Sequence, residues 1–92
     1  TTATAYNTSS DARLKENIAP ATGALALLSA IQPRQFDWIS TGEHQRFGFV
    51  AQELDAVFPE AVTKADDGTY SVDYSKMVPL LAAAILEMQR DS

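Results

Sequence analysis

A chain of 92 residues with 46% hydrophobic and 21% charged side chains makes one small globular domain. It is too short to bury the surface fraction of a typical ~150-residue domain, so association between copies is a reasonable source of extra stability. The formal charge of −5 and the scatter of the 7 Lys and Arg residues argue against nucleic-acid binding, and no apolar run approaches the ~20 residues of a membrane span, so neither nucleic acid nor a membrane is an expected partner. Without cysteine, disulfides and thiolate chemistry are excluded.

Residues 1–9 carry no charge and are mostly Thr and Ala, whereas residues 11–17 hold two acids and two bases. This change of composition sets a border at Ser10. The Thr-rich side, with Tyr6, suits an extended conformation and reads as the end of an upstream module. A first residue of Thr, with neither a basic start nor an apolar signal core, fits a segment of a longer product. The piece from Arg13 to Ile18 is expected to run extended up to Ala19-Pro20, where proline disfavours helix in the residue before it.

From Ala21 to Ile31 the residues Ala24, Leu25, Leu27, Leu28 and Ile31 share one helical face, and Thr22 is placed to cap the start. Pro33 ends that helix. A half-buried strand follows over Arg34 to Ile39, a turn over Ser40 to His44, and a second strand over Arg46 to Val50 with Phe47 and Phe49 in phase, which together predict a β-hairpin. Ala51 to Phe58 repeats helically through Leu54, Val57 and Phe58 and stops at Pro59. Ala61 to Lys64 and Thr69 to Val72 flank Ala65-Asp66-Asp67-Gly68, whose Asp-Gly step predicts a second hairpin. The aromatic residues Phe36, Trp38, Phe47, Phe49 and Phe58 fall at core spacings.

Tyr74 to Gln89 is the longest regular segment, a helix with Tyr74, Met77, Val78, Leu81, Ala84, Ile85 and Met88 on a broad apolar stripe. Two heptad readings overlap, one through Met77, Leu81, Ala84 and Met88, the other through Val78, Leu81, Ile85 and Met88, so the helix can face its own domain and a partner helix together. Pro79 must sit in or near the first turn, where a missing amide donor costs little. The elements sum to an α+β class: a small mixed domain of short helices, β-hairpins and a long C-terminal helix.

Few residues suggest chemistry by type alone. The single histidine, His44, lies in a polar stretch without evident metal-binding partners and reads as solvated. Asp66-Asp67-Gly68 lacks the alternating oxygen ligands and distal Glu of a calcium loop and reads as a turn. There is no Gly-rich phosphate loop, and neither a cofactor nor a metal is implied. Ser10 and Lys15, five apart, read by spacing as a turn serine and a solvated lysine.

Three runs change that reading. Ser10-Asp11-Ala12-Arg13-Leu14-Lys15-Glu16-Asn17-Ile18, then Phe47-Gly48-Phe49-Val50-Ala51-Gln52-Glu53-Leu54 leading to Phe58-Pro59, then Val72-Asp73-Tyr74-Ser75-Lys76-Met77-Val78-Pro79-Leu80-Leu81 closely resemble the intramolecular chaperone, auto-processing domain of the S74 peptidase family. Members of that family end phage tail spikes, tail fibres and endosialidases, and a related domain occurs in a membrane-bound animal transcription factor. The resemblance implies a homotrimer that helps a β-rich fibre stalk of the same chain to fold and then cuts itself off on the N-terminal side of a serine, with a lysine five residues on.

Carried onto this sequence, the resemblance makes Ser10 the nucleophile and Lys15 the base, with Ser9-Ser10 as the scissile bond. Ser10, not Ser9, is the serine directly before Asp. Residues 1–9 then become the end of the stalk and residues 10–92 the chaperone. Asp11 and Arg13 are supporting candidates, for orienting Lys15 or stabilising the oxyanion. The implied setting is a virion tail-fibre or tail-spike precursor, with the chaperone released in the host cytoplasm. A non-cleaving trimerisation or capping module is the alternative. A peptidase acting on other proteins fits poorly, since nothing suggests a substrate cleft.

Overall fold

A computed structural model describes residues 9–91 of the chain; residues 1–8, read above as part of a stalk remnant, lie outside the described residues. In chain order the elements are helix α1 (Ala24–Ala30), strands β1 (Arg34–Asp37) and β2 (His44–Gly48), helix α2 (Ala51–Val57), strands β3 (Val62–Lys64) and β4 (Tyr70–Val72), and helix α3 (Met77–Asp91). Single 3-10 turns lie at Ala12–Leu14, Pro59–Ala61 and Tyr74–Lys76. The result is a mixed helix-and-sheet domain, with two antiparallel hairpins, β1-β2 and β3-β4, as separate two-stranded sheets.

The core lies where α1 crosses α3 and where α2 meets the second hairpin. Ala24, Ile31, Leu54, Ala61, Met77, Leu80 and Ala84 are buried, with Leu25, Leu27, Leu28, Val57 and Phe58 half-buried around them. Ala61 and Ala84 are fully enclosed. No bulky side chain among the described residues is completely buried. A core of this size supports little stability by itself, since hydrophobic stabilisation scales with apolar area removed from water.

Helix α1 starts later than its sequence pattern suggests, and Thr22 does not cap it. Gly23 takes the N-cap position at φ 75° with no side-chain cap of its own, and the open amides of Ala24 and Leu25 donate instead to Glu87 of α3, at 2.8 and 3.2 Å. A carboxylate that accepts both orphan N–H groups also meets the positive end of the helix. One residue of α3 therefore performs the task expected of a local threonine.

The first hairpin departs from simple alternation for a definite reason. Phe36 pairs with Gln45 and Arg34 with Gly48, which leaves a bulge on β2. The extra residue makes Gln45 and Gly48 the inward positions and turns Phe47 out to solvent. Trp38 falls beyond the end of β1, half exposed, where it meets Phe36 edge-to-face at 5.3 Å and donates from Nε1 to Gln45 Oε1. Phe47 and Trp38 are thus surface residues, while Phe36, Phe49 and Phe58 pack inward as expected. His44 opens β2 and bonds across the hairpin, Nδ1 to Asp37 Oδ1 at 2.7 Å and Nε2 to Gln35 Oε1 at 3.0 Å, so it is a strand residue with partners, not a free loop histidine.

The second hairpin follows the sequence closely. Val62 faces Val72 and Lys64 faces Tyr70, around a turn in which Gly68 has φ 89° and Asp67 accepts from the Thr69 amide. Asp73 then caps the turn that leads into α3, accepting from the Ser75 amide and hydroxyl. Pro79 stands in the first turn of α3. That helix has two apolar faces: Met77, Leu80 and Ala84 point into the core, while Val78, Leu81, Ile85 and Met88 are exposed. Of the two heptad readings, only the second describes the face that remains open, and Leu80 belongs to the inner face although the sequence stripe omitted it.

Candidate active site

Residues 9–23 are all exposed, and among the described residues local bonds shape the N-terminal segment. The piece expected to run extended from Arg13 to Ile18 begins instead inside a tight turn, Ala12–Leu14, and Lys15 just after it is extended. Asp11 is extended (φ −68°, ψ 135°) and its Oδ1 accepts from the Arg13 amide at 2.9 Å. The Leu14 amide bonds to the Asp11 carbonyl and the Lys15 amide to the Ala12 carbonyl, each at 3.0 Å, which closes the 3-10 turn Ala12–Leu14. Aspartate favours such positions because its short carboxylate reaches the amide two residues on. Asn17, at φ 57°, turns the chain again towards Pro20.

This reversal folds Lys15 back over Ser10. Lys15 Nζ donates to Ser10 Oγ at 2.6 Å, which brings the two residues singled out in the sequence into direct contact. Arg13 does not join them: its Nε and Nη2 bond both oxygens of Asp11, the closest contact being 2.7 Å. The Arg13 guanidinium holds the Asp11 carboxyl below its ordinary value, and the carboxylate raises Arg13 in return. A shallow open depression lined by Ser9, Asp11, Arg13 and Leu14 lies beside the Ser9-Ser10 peptide.

Chemically, the pair needs one more condition. A serine hydroxyl is a weak nucleophile that needs an adjacent base, and a lysine ammonium has no lone pair to offer. Both Ser10 and Lys15 are exposed. Burial that removes water from Lys15 would favour its neutral form.

The fold and this contact together define a small α+β domain that carries a serine-lysine pair on an exposed N-terminal turn. Residues 10–63, more than half of the chain, match the Peptidase S74 family, described as the chaperone of endosialidase, and the chain belongs to that family. The matched stretch starts at Ser10 and runs through both β1-β2 and α2 into β3. No curated protein and no solved structure matches the chain.

Proposed function

We propose that this domain is a C-terminal intramolecular chaperone that trimerises, assists the folding of a phage tail fibre or spike, and then releases itself by cutting Ser9-Ser10. The observation that carries this reading is the 2.6 Å contact between Lys15 Nζ and Ser10 Oγ at the start of the family-matched stretch. Neutral Lys15 takes the hydroxyl proton as Ser10 Oγ attacks the Ser9 carbonyl carbon. The Ser9–Ser10 C–N bond breaks, the Ser10 nitrogen receives a proton, and an ester joins the Ser9 carbonyl to Ser10 Oγ. Water hydrolyses that ester, which frees a Ser9 carboxylate and a new amino terminus at Ser10. Single turnover follows, because the enzyme is its own substrate.

Self-association is supported by the outer face of α3. Val78, Leu81, Ile85 and Met88 recur at three- and four-residue spacings and stand exposed, with Ile85 at 61%. They continue into an apolar groove of about 530 Å³ lined by Leu28, Ile31, Phe49, Tyr74, Val78 and Leu81. Covering this face with other copies adds the apolar burial that the small core lacks. Association also acts as a timer. Until copies assemble, Lys15 is hydrated and inert; once neighbours exclude water it can accept a proton, and loss of the chaperone then leaves the fibre kinetically trapped. The setting is accordingly a tail-fibre precursor in an infected cell.

Intact-mass measurement of the complete polypeptide tests the cut. Wild type yields a fragment beginning at Ser10, and Ser10→Ala and Lys15→Ala remain whole. A wild type that never yields this fragment, while still forming trimers, would support the non-cleaving capping module instead. Cutting at the same bond in both variants would remove the dyad altogether.

A further inference from the structure

We infer that Asp11 and Arg13 are a positioning pair, in which Asp11 holds the turn that delivers Lys15 to Ser10 while Arg13 cancels the charge that Asp11 brings. The inference rests on the Ser10-Lys15 reading and assigns roles to the two charged residues between them.

Its first part is geometric. Extended chain spans about 3.3–3.6 Å per residue, so five steps from Ser10 to Lys15 would separate their Cα atoms by roughly 17 Å, beyond the reach of a lysine side chain. Contact requires the reversal at Ala12–Leu14. No residue of that turn is buried, and the Asp11 carboxylate bonds its backbone at the Arg13 amide. In a helix inside a packed domain, tertiary contacts would share this work. Here the cap and two backbone bonds carry it.

The second part is electrostatic. A carboxylate next to Ser10 favours the ammonium form of Lys15, which is the wrong form for a base. Arg13 occupies both Asp11 oxygens through Nε and Nη2, so the pair presents no net charge to the dyad. Glu16 is the remaining charged residue of the segment besides Lys15, and among the described residues no ion pair links Lys15 to a charged group of any other element. With Nε and Nη2 committed to Asp11, Arg13 serves as a counter-charge to that carboxylate.

Cleavage rates of the complete polypeptide, measured against pH, separate these roles. Asp11→Ala slows cutting about three- to tenfold by loosening the turn, and Asp11→Asn, which keeps the oxygen acceptor, restores the plateau rate to within about twofold. Arg13→Gln moves the rising limb of the profile about half a pH unit upward, and Asp11→Asn moves it downward by a similar amount, because each leaves one charge unbalanced near Lys15. A purely structural role would lower the plateau without moving the limb. Wild-type rates in Asp11→Ala, or an unmoved limb in Arg13→Gln, overturn the inference while Ser10→Ala and Lys15→Ala remain uncut. If those two controls are cut like wild type, it is the dyad reading that fails.

Discussion

Residues 9–23 and residues 24–91 are held in shape by different means. In the larger region, side chains far apart in sequence meet: Glu87 closes the start of α1, Arg34 on β1 forks onto Glu53 of α2, and Phe49 stacks on Tyr74 at 5.7 Å. Among the described residues, the bonds of the N-terminal segment lie within five residues, and every residue from 9 to 23 is exposed. Local bonds are enough to set the distance between Ser10 and Lys15. They cannot set the dielectric around them, which depends on what covers the segment. The distance between the two residues is thus written into one short stretch, and the burial around them is not.

The sharpest way to probe that division is to damage each region and watch the other. Leu54 is 2% exposed at the centre of the core, and Leu54→Ala is expected to cost about 2–5 kcal/mol in urea unfolding, through lost burial and an unfilled cavity. Leu14, 72% exposed on the turn, is expected to change monomer stability by less than about 0.5 kcal/mol when replaced by alanine. Comparable losses at both positions would mean that the N-terminal segment belongs to the core after all.

A smaller effect comes from Glu87. Glu87→Ala strips two amides at the start of α1 of their acceptor and is expected to lower stability by about 1–2 kcal/mol, with faster hydrogen exchange at Ala24 and Leu25. Unchanged exchange there would show that water replaces the carboxylate without cost.

The smallest effect is on acid stability. Hydrogen bonds from Ser75 hold the Asp73 carboxyl below its ordinary value of 3.8, and those from Arg34 hold Glu53 below 4.5. A folded value below the unfolded one stabilises the domain fully above the unfolded value and loses that contribution as pH falls through the lower, folded value. The domain should therefore weaken below about pH 4, and Asp73→Asn, which keeps an oxygen acceptor for the cap, should flatten this fall slightly. Identical acid profiles would show that Asp73 contributes nothing measurable.

Much of the fold was legible because its signals are local. Asp67-Gly68 announced the second hairpin, Pro59 the end of α2, and Pro79 the entry to α3. The cap of α1 was not legible, since Glu87 lies more than sixty residues from the amides it serves. Nor was the exposure of Phe47: aromatic alternation gives no warning of a bulge, although Gly48 was its trace, because a Cβ there would lie 3.0 Å from the Phe36 ring. The contact of Ser10 with Lys15 came from family resemblance, not from spacing. Even so, the turn that makes it was visible in principle, since an aspartate often bonds the amide two residues on, as Asp11 does to Arg13.

The central claim is that the dyad is built locally and switched on by association. The direct measurement is the cleavage of a variant in which Ser10 and Lys15 are untouched and the exposed face of α3 carries Leu81→Asp and Ile85→Asp. The account predicts a folded monomer by sedimentation and circular dichroism that stays uncut while wild type is processed to completion. A monomer that cuts at Ser9-Ser10 at the wild-type rate would contradict it.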